Sequence, residues 1–193
     1  MKRESYFESY KGLYHGTTRE SANKILQDGF NLSGSNKLLG PGIYFYDIRK
    51  KAAWWASTTC RRKQGIEKGE LPQQAVLSCN INKINCDLVM DLRDYKEVQK
   101  FGAFADEYLK SHVIEIEGNE EFSREERIRS LLIATYADEN EKKLIIGNLK
   151  QRSRDRMEEG IKIADKYNLI VGAETIYCVT DPAIIEDLEL SRY

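Results

Sequence analysis

Between Leu13 and Phe45 the chain is punctuated by glycines at positions 16, 29, 40 and 42, and the apolar residues between them switch from strand spacing to helix spacing and back. That pattern fixes the order of the first four elements. Leu13-Tyr14-His15-Gly16 predicts a short strand running into a turn. Thr17 and Glu20 have the spacing of a capping box, Ala22, Ile25 and Leu26 form one apolar stripe, and Gly29 supplies the left-handed stop of a helix. Phe30 closes that helix onto the core. Gly40-Pro41-Gly42 predicts a turn, Ile43-Tyr44-Phe45-Tyr46 a second strand, and Asp47 the cap of a second helix through Ala52, Ala53, Trp55, Ala56 and Thr59.

Further on, Ala75 to Ile81 and Leu88 to Leu92 read as strands, and Asp94 to Lys110 and Ser123 to Asp138 as charged helices. The middle third, roughly 94–166, therefore predicts a helical insert. Within it His112 to Ile116 and Leu144 to Ile146 are too short to assign by period. A charged helix from Ser153 to Tyr167 leads to Leu169-Ile170-Val171, to a strand over Glu174 to Val179, and to Ile184 to Leu190 after Asp181-Pro182. With strands at both ends, the expected fold is α+β, and a length of 193 residues suits one domain over 1–193.

The charge balance, 30 basic against 31 acidic residues, removes the electrostatic argument for nucleic acid that a basic domain would supply. Cys60, Cys79, Cys86 and Cys178 form no C-x-x-C pair, so neither a zinc site nor a disulfide framework is expected, and reduced thiols fit a cytoplasmic protein. The charged start, Met1-Lys2-Arg3-Glu4, is followed by no apolar run, so neither signal peptide nor membrane span is expected.

Leu13-Tyr14-His15-Gly16-Thr17-Thr18, Ile25-Leu26, Gly29-Phe30, Gly40-Pro41-Gly42-Ile43-Tyr44-Phe45 and Ala52-Ala53-Trp54-Trp55-Ala56, in this order and spacing, resemble the NAD⁺-binding half of poly(ADP-ribose) polymerase-like ADP-ribosyltransferases of the His-Tyr-Glu type. The likeness covers residues 11 to 60 and returns at Ala173-Glu174-Thr175-Ile176-Tyr177, which is similar to the family's late strand carrying its glutamate. It implies a split β-sheet flanked by helices. It also implies cleavage of the nicotinamide–ribose bond of NAD⁺ with transfer of ADP-ribose, as a single unit, to a macromolecule, protein ahead of nucleic acid. No metal is required and no membrane is involved. An inhibitor or antitoxin partner, and delivery into another cell as a toxin, are compatible with the resemblance.

The resemblance also assigns roles. Departure of nicotinamide leaves an oxocarbenium-like ribose, which calls for a clamp on the leaving ring and a negative charge beside the cation. His15 would bond a hydroxyl of the adenine-side ribose, the Gly16 backbone would hold the nicotinamide amide, and Thr17 belongs to the same binding strand. Tyr44 and Trp55 would sandwich the nicotinamide ring. Glu174 would hold the ribose 2′-hydroxyl and stabilise the cation. Ala52 stands where the family commonly carries a serine that bonds the nicotinamide amide, and Trp55 where a second tyrosine is usual; Ser57, Thr58 and Thr59 lie nearby on the same helix.

Each residue has a plainer reading: a half-buried core histidine at 15, a core aromatic at 44, helix packing at 55, a solvated strand-edge charge at 174, and simple turn-making at Gly40 and Gly42. Arg61-Arg62-Lys63 and Lys150, Arg152, Arg154 and Arg156 read as solvated helix faces before phosphate contacts. Two other functions stay open beside transfer, an NAD⁺ glycohydrolase in which water attacks the same cation, and a catalytically silent module that binds NAD⁺ or ADP-ribose. A phosphotransferase acting on RNA 2′-phosphates ranks last, because arginines would be expected where Tyr44 and Glu174 stand.

Overall fold

The computed structural model describes residues 6–32, 38–67, 70–116, 123–150 and 173–192. Its elements are β1 (Phe7–Thr18), α1 (Arg19–Asp28), β2 (Ile43–Tyr46), α2 (Arg49–Glu67), β3 (Gln74–Asn85), a 3₁₀ turn (Cys86–Leu88), β4 (Val89–Asp91), α3 (Tyr95–Ser111), α4 (Arg124–Glu139), β5 (Leu144–Lys150), β6 (Ala173–Val179), a second 3₁₀ turn (Pro182–Ile184) and β7 (Glu186–Leu190). The fold is α+β. The seven strands lie in the order β4-β5-β6-β2-β1-β3-β7, with β4 and β5 parallel and every other pair antiparallel.

One joint in this sheet differs from the rest. β1 and β3 pair along their whole length, whereas β1 and β2 share a single ladder pair, Tyr14 with Tyr46. The sheet is therefore split into a β1-β3-β7 half and a β4-β5-β6-β2 half. The chain passes from β3, inside one half, to β4, at the far edge of the other, through only Cys86–Leu88. Three residues reach about 10 Å, which is also about the spacing of two packed sheets, so the halves must fold toward each other. Leu13, Cys79, Ile81 and Ile84 from one half accordingly share a buried cluster with Phe45, Leu144, Ile146, Tyr177 and Val179 from the other. Fully burying side chains such as Phe45 and Leu144, both 0% exposed, stabilises by about 1.5–3 kcal/mol each.

The outer face is covered by helices. Leu39, Tyr46, Ala52, Val76, Ile133, Tyr136, Ile176 and Cys178 form a second cluster there, so α2 and α4 lie on it. On α2, Ala52, Ala56 and Cys60 recur every fourth residue and are buried, a narrow face of small side chains that lets the helix backbone come close to the sheet. α1 packs Ala22 against Ala75 and Leu77 at the other end of the inner core.

Several boundaries differ from the sequence expectation. The first strand continues through Thr18, whose ladder partner is Gln74, so α1 is capped by Thr18 accepting from Ser21 N at 3.1 Å rather than by Thr17. Glu20 instead pairs with Lys24 at 2.9 Å and Lys63 at 3.0 Å. Helix α2 starts after Asp47, at Arg49. The helical reading of 94–166 holds for α3 and α4, where Asp94 and Ser123 are the N-caps and Ser123 closes a capping box with Glu126. It fails at Leu144–Lys150, which is a sheet strand between β4 and β6, because a fully buried strand shows no alternation from which to recognise it. The stretch His112–Ile116 carries no regular structure. The helix expected over Ser153–Tyr167 and the strand over Leu169–Val171 lie outside the described residues.

Among the described residues no helix is long and apolar enough to cross a membrane, and no group of three or more histidine, cysteine or acidic side chains is placed to hold a metal ion.

Candidate active site

The seam between the two half-sheets is where the sequence-derived residues gather. Beyond the Tyr14–Tyr46 pair the strands separate, and His15 to Thr18 have ladder partners on β3 but none on β2. The His15 side chain bridges the opening: its Nδ1 lies 2.9 Å from the Tyr44 carbonyl oxygen. A carbonyl only accepts, so Nδ1 carries the proton and donates, which leaves Nε2 as a lone-pair acceptor. Burial holds the His15 pKa below its ordinary value, against the opposing pull of the bond to Tyr44, and the ring is neutral at pH 7. The edges of Phe30 and Phe45, with centroids 5.2 and 5.8 Å away, fix its plane.

Gly16 follows on the same strand. A Cβ there would lie 2.8 Å from Ala56 N and closer still to the Ala52 carbonyl, so the glycine is required by the docking of α2. That is a different reason from room for a ligand. Ala52, 0% exposed, belongs to this contact. Thr17 is buried within the β1–β3 ladder opposite Ala75. Thr58 turns its hydroxyl back onto the Trp54 carbonyl at 3.0 Å, so it does not replace the serine missing at position 52.

Tyr44 is half-buried in the outer cluster. Its hydroxyl donates to the Gly40 carbonyl and accepts from Leu39 N at 3.2 Å, pinning the Gly40-Pro41-Gly42 turn that leads into β2. Burial, with the Cys178 thiol beside it, raises its pKa. Gly42 is needed because a Cβ would meet Cys178 and the Val179 carbonyl on β6. Gly40, at φ +100°, supplies the left-handed turn.

Glu174 sits on β6 opposite Leu149 of β5 and beyond the end of β2, whose ladder with β6 stops at Tyr46–Ile176. Its side chain is 14% exposed and forms an ion pair with Lys51 from the first turn of α2. Glu174 shares the outer face with Ile176 and Cys178, the β6 partners of Tyr46 and Tyr44. Tyr46, 5% exposed, has its pKa raised first by burial and then by the Glu174 charge, and the Trp55 indole lies beside its hydroxyl. Trp55 is half-buried against the same cluster; its N–H is buried with no hydrogen-bond partner among the described residues.

The arrangement thus joins Glu174, Lys51, Tyr46 and Trp55 in one constellation and joins His15 to Tyr44 across the seam. It does not bring all the predicted residues onto one surface. The His15 ring points to the inner face with Phe45, while Tyr44, Trp55 and Glu174 belong to the outer one. Glu174 is four residues along β6 from the partner of Tyr44, about 13 Å of strand. Only a ligand longer than one ring can touch both groups.

Lys51 and Tyr46 were not singled out from the sequence. Lys51 lies in the charged run Arg49-Lys50-Lys51, which reads as a solvated face; the available signal was its position four residues before Trp55, on the same side of a helix. No family model matches the chain. A 74-residue stretch is 35% identical to an uncharacterized protein of Methanocaldococcus jannaschii, covering 37% of this chain and 35% of that protein, so the match spans about a third of the relative's length.

Proposed function

We propose that the protein is an ADP-ribosyltransferase that cleaves the nicotinamide–ribose bond of NAD⁺ and passes a single ADP-ribose to a macromolecular acceptor. The observation that carries this reading is the opened β1–β2 seam, bridged by His15 and Tyr44, with the Lys51–Glu174 pair at its outer end. A dinucleotide has the length this separation demands. His15 Nε2 accepts from a ribose hydroxyl on the inner side. Trp55 and Tyr44 flank the nicotinamide, and the β1 backbone at Gly16, paired with β3 on one side only, offers its amide a main-chain partner. Glu174, ion-paired with Lys51, faces the nicotinamide-side ribose.

The chemistry follows from the charges. The C1′–N bond breaks and its electron pair leaves with nicotinamide, which becomes neutral. The carboxylate of Glu174 stabilises the cation left on the ribose. The acceptor's lone pair then forms the new bond to C1′, and the acceptor's proton passes to Glu174 and on to solvent. Lys51 acts through Glu174 as a positioning residue.

The test is nicotinamide release from NAD⁺ by the purified chain, scored together with added mass on protein and RNA from a lysate. Release with a mass gain is expected for wild type, and Glu174→Gln should lower release by about 10²-fold or more. Equal turnover in the variant would remove Glu174 from the mechanism. Release yielding only free ADP-ribose would make the enzyme a glycohydrolase, and binding without release would leave an NAD⁺-binding module.

A further inference from the structure

The whole-chain balance of 30 basic against 31 acidic residues conceals one element that is not balanced. From Arg49 to Ile66, α2 carries six basic residues and no acidic one. Ala52, Ala56 and Cys60 turn one side of the helix to the sheet, so Lys50, Trp54 and Arg61, all exposed, fall on the opposite side. Acids that pair with the helix are already matched by lysines. Glu174 is paired with Lys51, and Glu20, at the start of α1, takes Lys24 at 2.9 Å and Lys63 at 3.0 Å, whose hydrogen bonds hold its carboxyl down at about 2. The side chains of Lys50 and Arg61 make no ion pair or hydrogen bond among the described residues, so their charges are left uncompensated there.

Between these two cations stands Trp54, 51% exposed. Tryptophan is highly buried on average, and this one is held rather than loose: its ring meets Trp55 edge to face, with centroids 5.1 Å apart and planes at 81°. A neighbour therefore orients the ring while half of its surface stays open. The same contact joins it to the candidate active site, to which Trp55 belongs. Lys50 and Arg61 lie about 16 Å apart along the helix axis, with Trp54 between them on the same side.

An aromatic plane flanked by cations suits a single strand of nucleic acid, which sets its phosphates against the charges and a base on the ring. A duplex keeps its bases stacked on one another and offers the ring nothing. An acidic polypeptide would satisfy the charges and leave Trp54 bare. We propose that the outer side of α2 docks a single-stranded nucleic acid, with a base stacked on Trp54 and phosphates on Lys50 and Arg61, and that this strand is the acceptor of ADP-ribose. A nucleophilic oxygen or nitrogen of the strand forms the bond to C1′, nicotinamide leaves with the C1′–N electron pair, and the strand's proton passes to Glu174 and on to solvent. The acceptor role rests on the transferase reading; the docking does not.

The experiment titrates the full chain, as wild type, Trp54→Ala, Trp54→Phe and the double variant Lys50→Gln, Arg61→Gln, into fluorescent single-stranded DNA, single-stranded RNA, a DNA duplex and a polyglutamate peptide of matched length. Wild type should bind both single strands more tightly than the duplex or the peptide. The double variant should bind them less tightly, with a slope of log K against log salt shallower by about 1.4, two phosphates at about 0.7 each. Trp54→Ala should weaken binding by about five- to 150-fold at an unchanged slope, and Trp54→Phe, which keeps a plane, should restore most of it. With NAD⁺ present a single strand should gain the mass of ADP-ribose, and a gain on one strand type alone names RNA or DNA as the source. Equal binding by wild type and all variants, or a preference for the duplex or for polyglutamate, would overturn the docking. A bound strand that gains no mass while nicotinamide is released would overturn the acceptor role. Absence of nicotinamide release would defeat the transferase reading alone, since binding measured without NAD⁺ stands.

Discussion

Tyr44 shows how one side chain can satisfy two different demands. Its hydroxyl pins the turn before β2, and its ring belongs to the layer in which Trp55 lies. The two demands separate by substitution. Tyr44→Phe removes the buried hydroxyl bonds but keeps the ring, so it should cost about 1–3 kcal/mol in urea unfolding with little change in NAD⁺ affinity. Tyr44→Ala should cost more stability and also weaken NAD⁺ binding. If the alanine variant binds NAD⁺ as tightly as wild type, the ring serves packing only. The role of the hydroxyl was not legible in the sequence, because its partners at Leu39 and Gly40 depend on how the turn folds back. Glu174 was legible as a residue and not as a pair: its partner Lys51 is 123 positions away, and nothing local marks one lysine in a run of three basic residues.

At the scale of elements, the docking of α2 on β1 governs the site, since it places Lys51 and Trp55 over the outer face. The contact is backbone against backbone, with Gly16 on the strand and Ala52 and Ala56 on the helix. Gly16→Ala should force α2 outward and destabilise the fold by at least about 3 kcal/mol, the upper end of the range for overpacked cores, seen as a lower urea midpoint with an unchanged m value. An unchanged midpoint would mean that the helix does not rest on this glycine. The helices and the strands with alternating or glycine-bounded patterns were readable in advance, as were the caps at Asp94 and Ser123. β5 was not. Leu144-Ile145-Ile146 is buried on both faces, so its sequence lacks the alternation that distinguishes a strand from a buried turn of helix. The same element overturns the picture of the middle third as an insert, because it supplies the strand between β4 and β6.

For the whole molecule, the seam links folding to protonation through His15. In the unfolded chain His15 titrates near the ordinary histidine value of 6.5, whereas in the folded protein burial lowers its pKa, with no carboxylate contributing to the shift. Below about pH 6.5 the unfolded state therefore binds more protons than the folded one, so stability rises with pH across that window and is lost as pH falls toward the folded-state pKa. Above pH 6.5 both states are neutral and the contribution is constant. Asp181, which Lys143 holds below the usual carboxylate range, responds at lower pH with the same sign. His15→Gln isolates the histidine, since it retains an amide donor for the Tyr44 carbonyl and has no proton to gain. Unfolding free energies of wild type and His15→Gln, measured between about pH 8 and pH 5, should run parallel above pH 6.5. Below it the wild type should lose stability faster. NAD⁺ affinity should hold through that window and fall only as pH reaches the lowered pKa of the folded state, because there Nε2 is protonated and can no longer accept a ribose hydroxyl. A wild-type curve parallel to the variant throughout would show that His15 is as solvated in the folded chain as in the unfolded one, and Nε2 would lose its place as the buried, neutral acceptor at the seam.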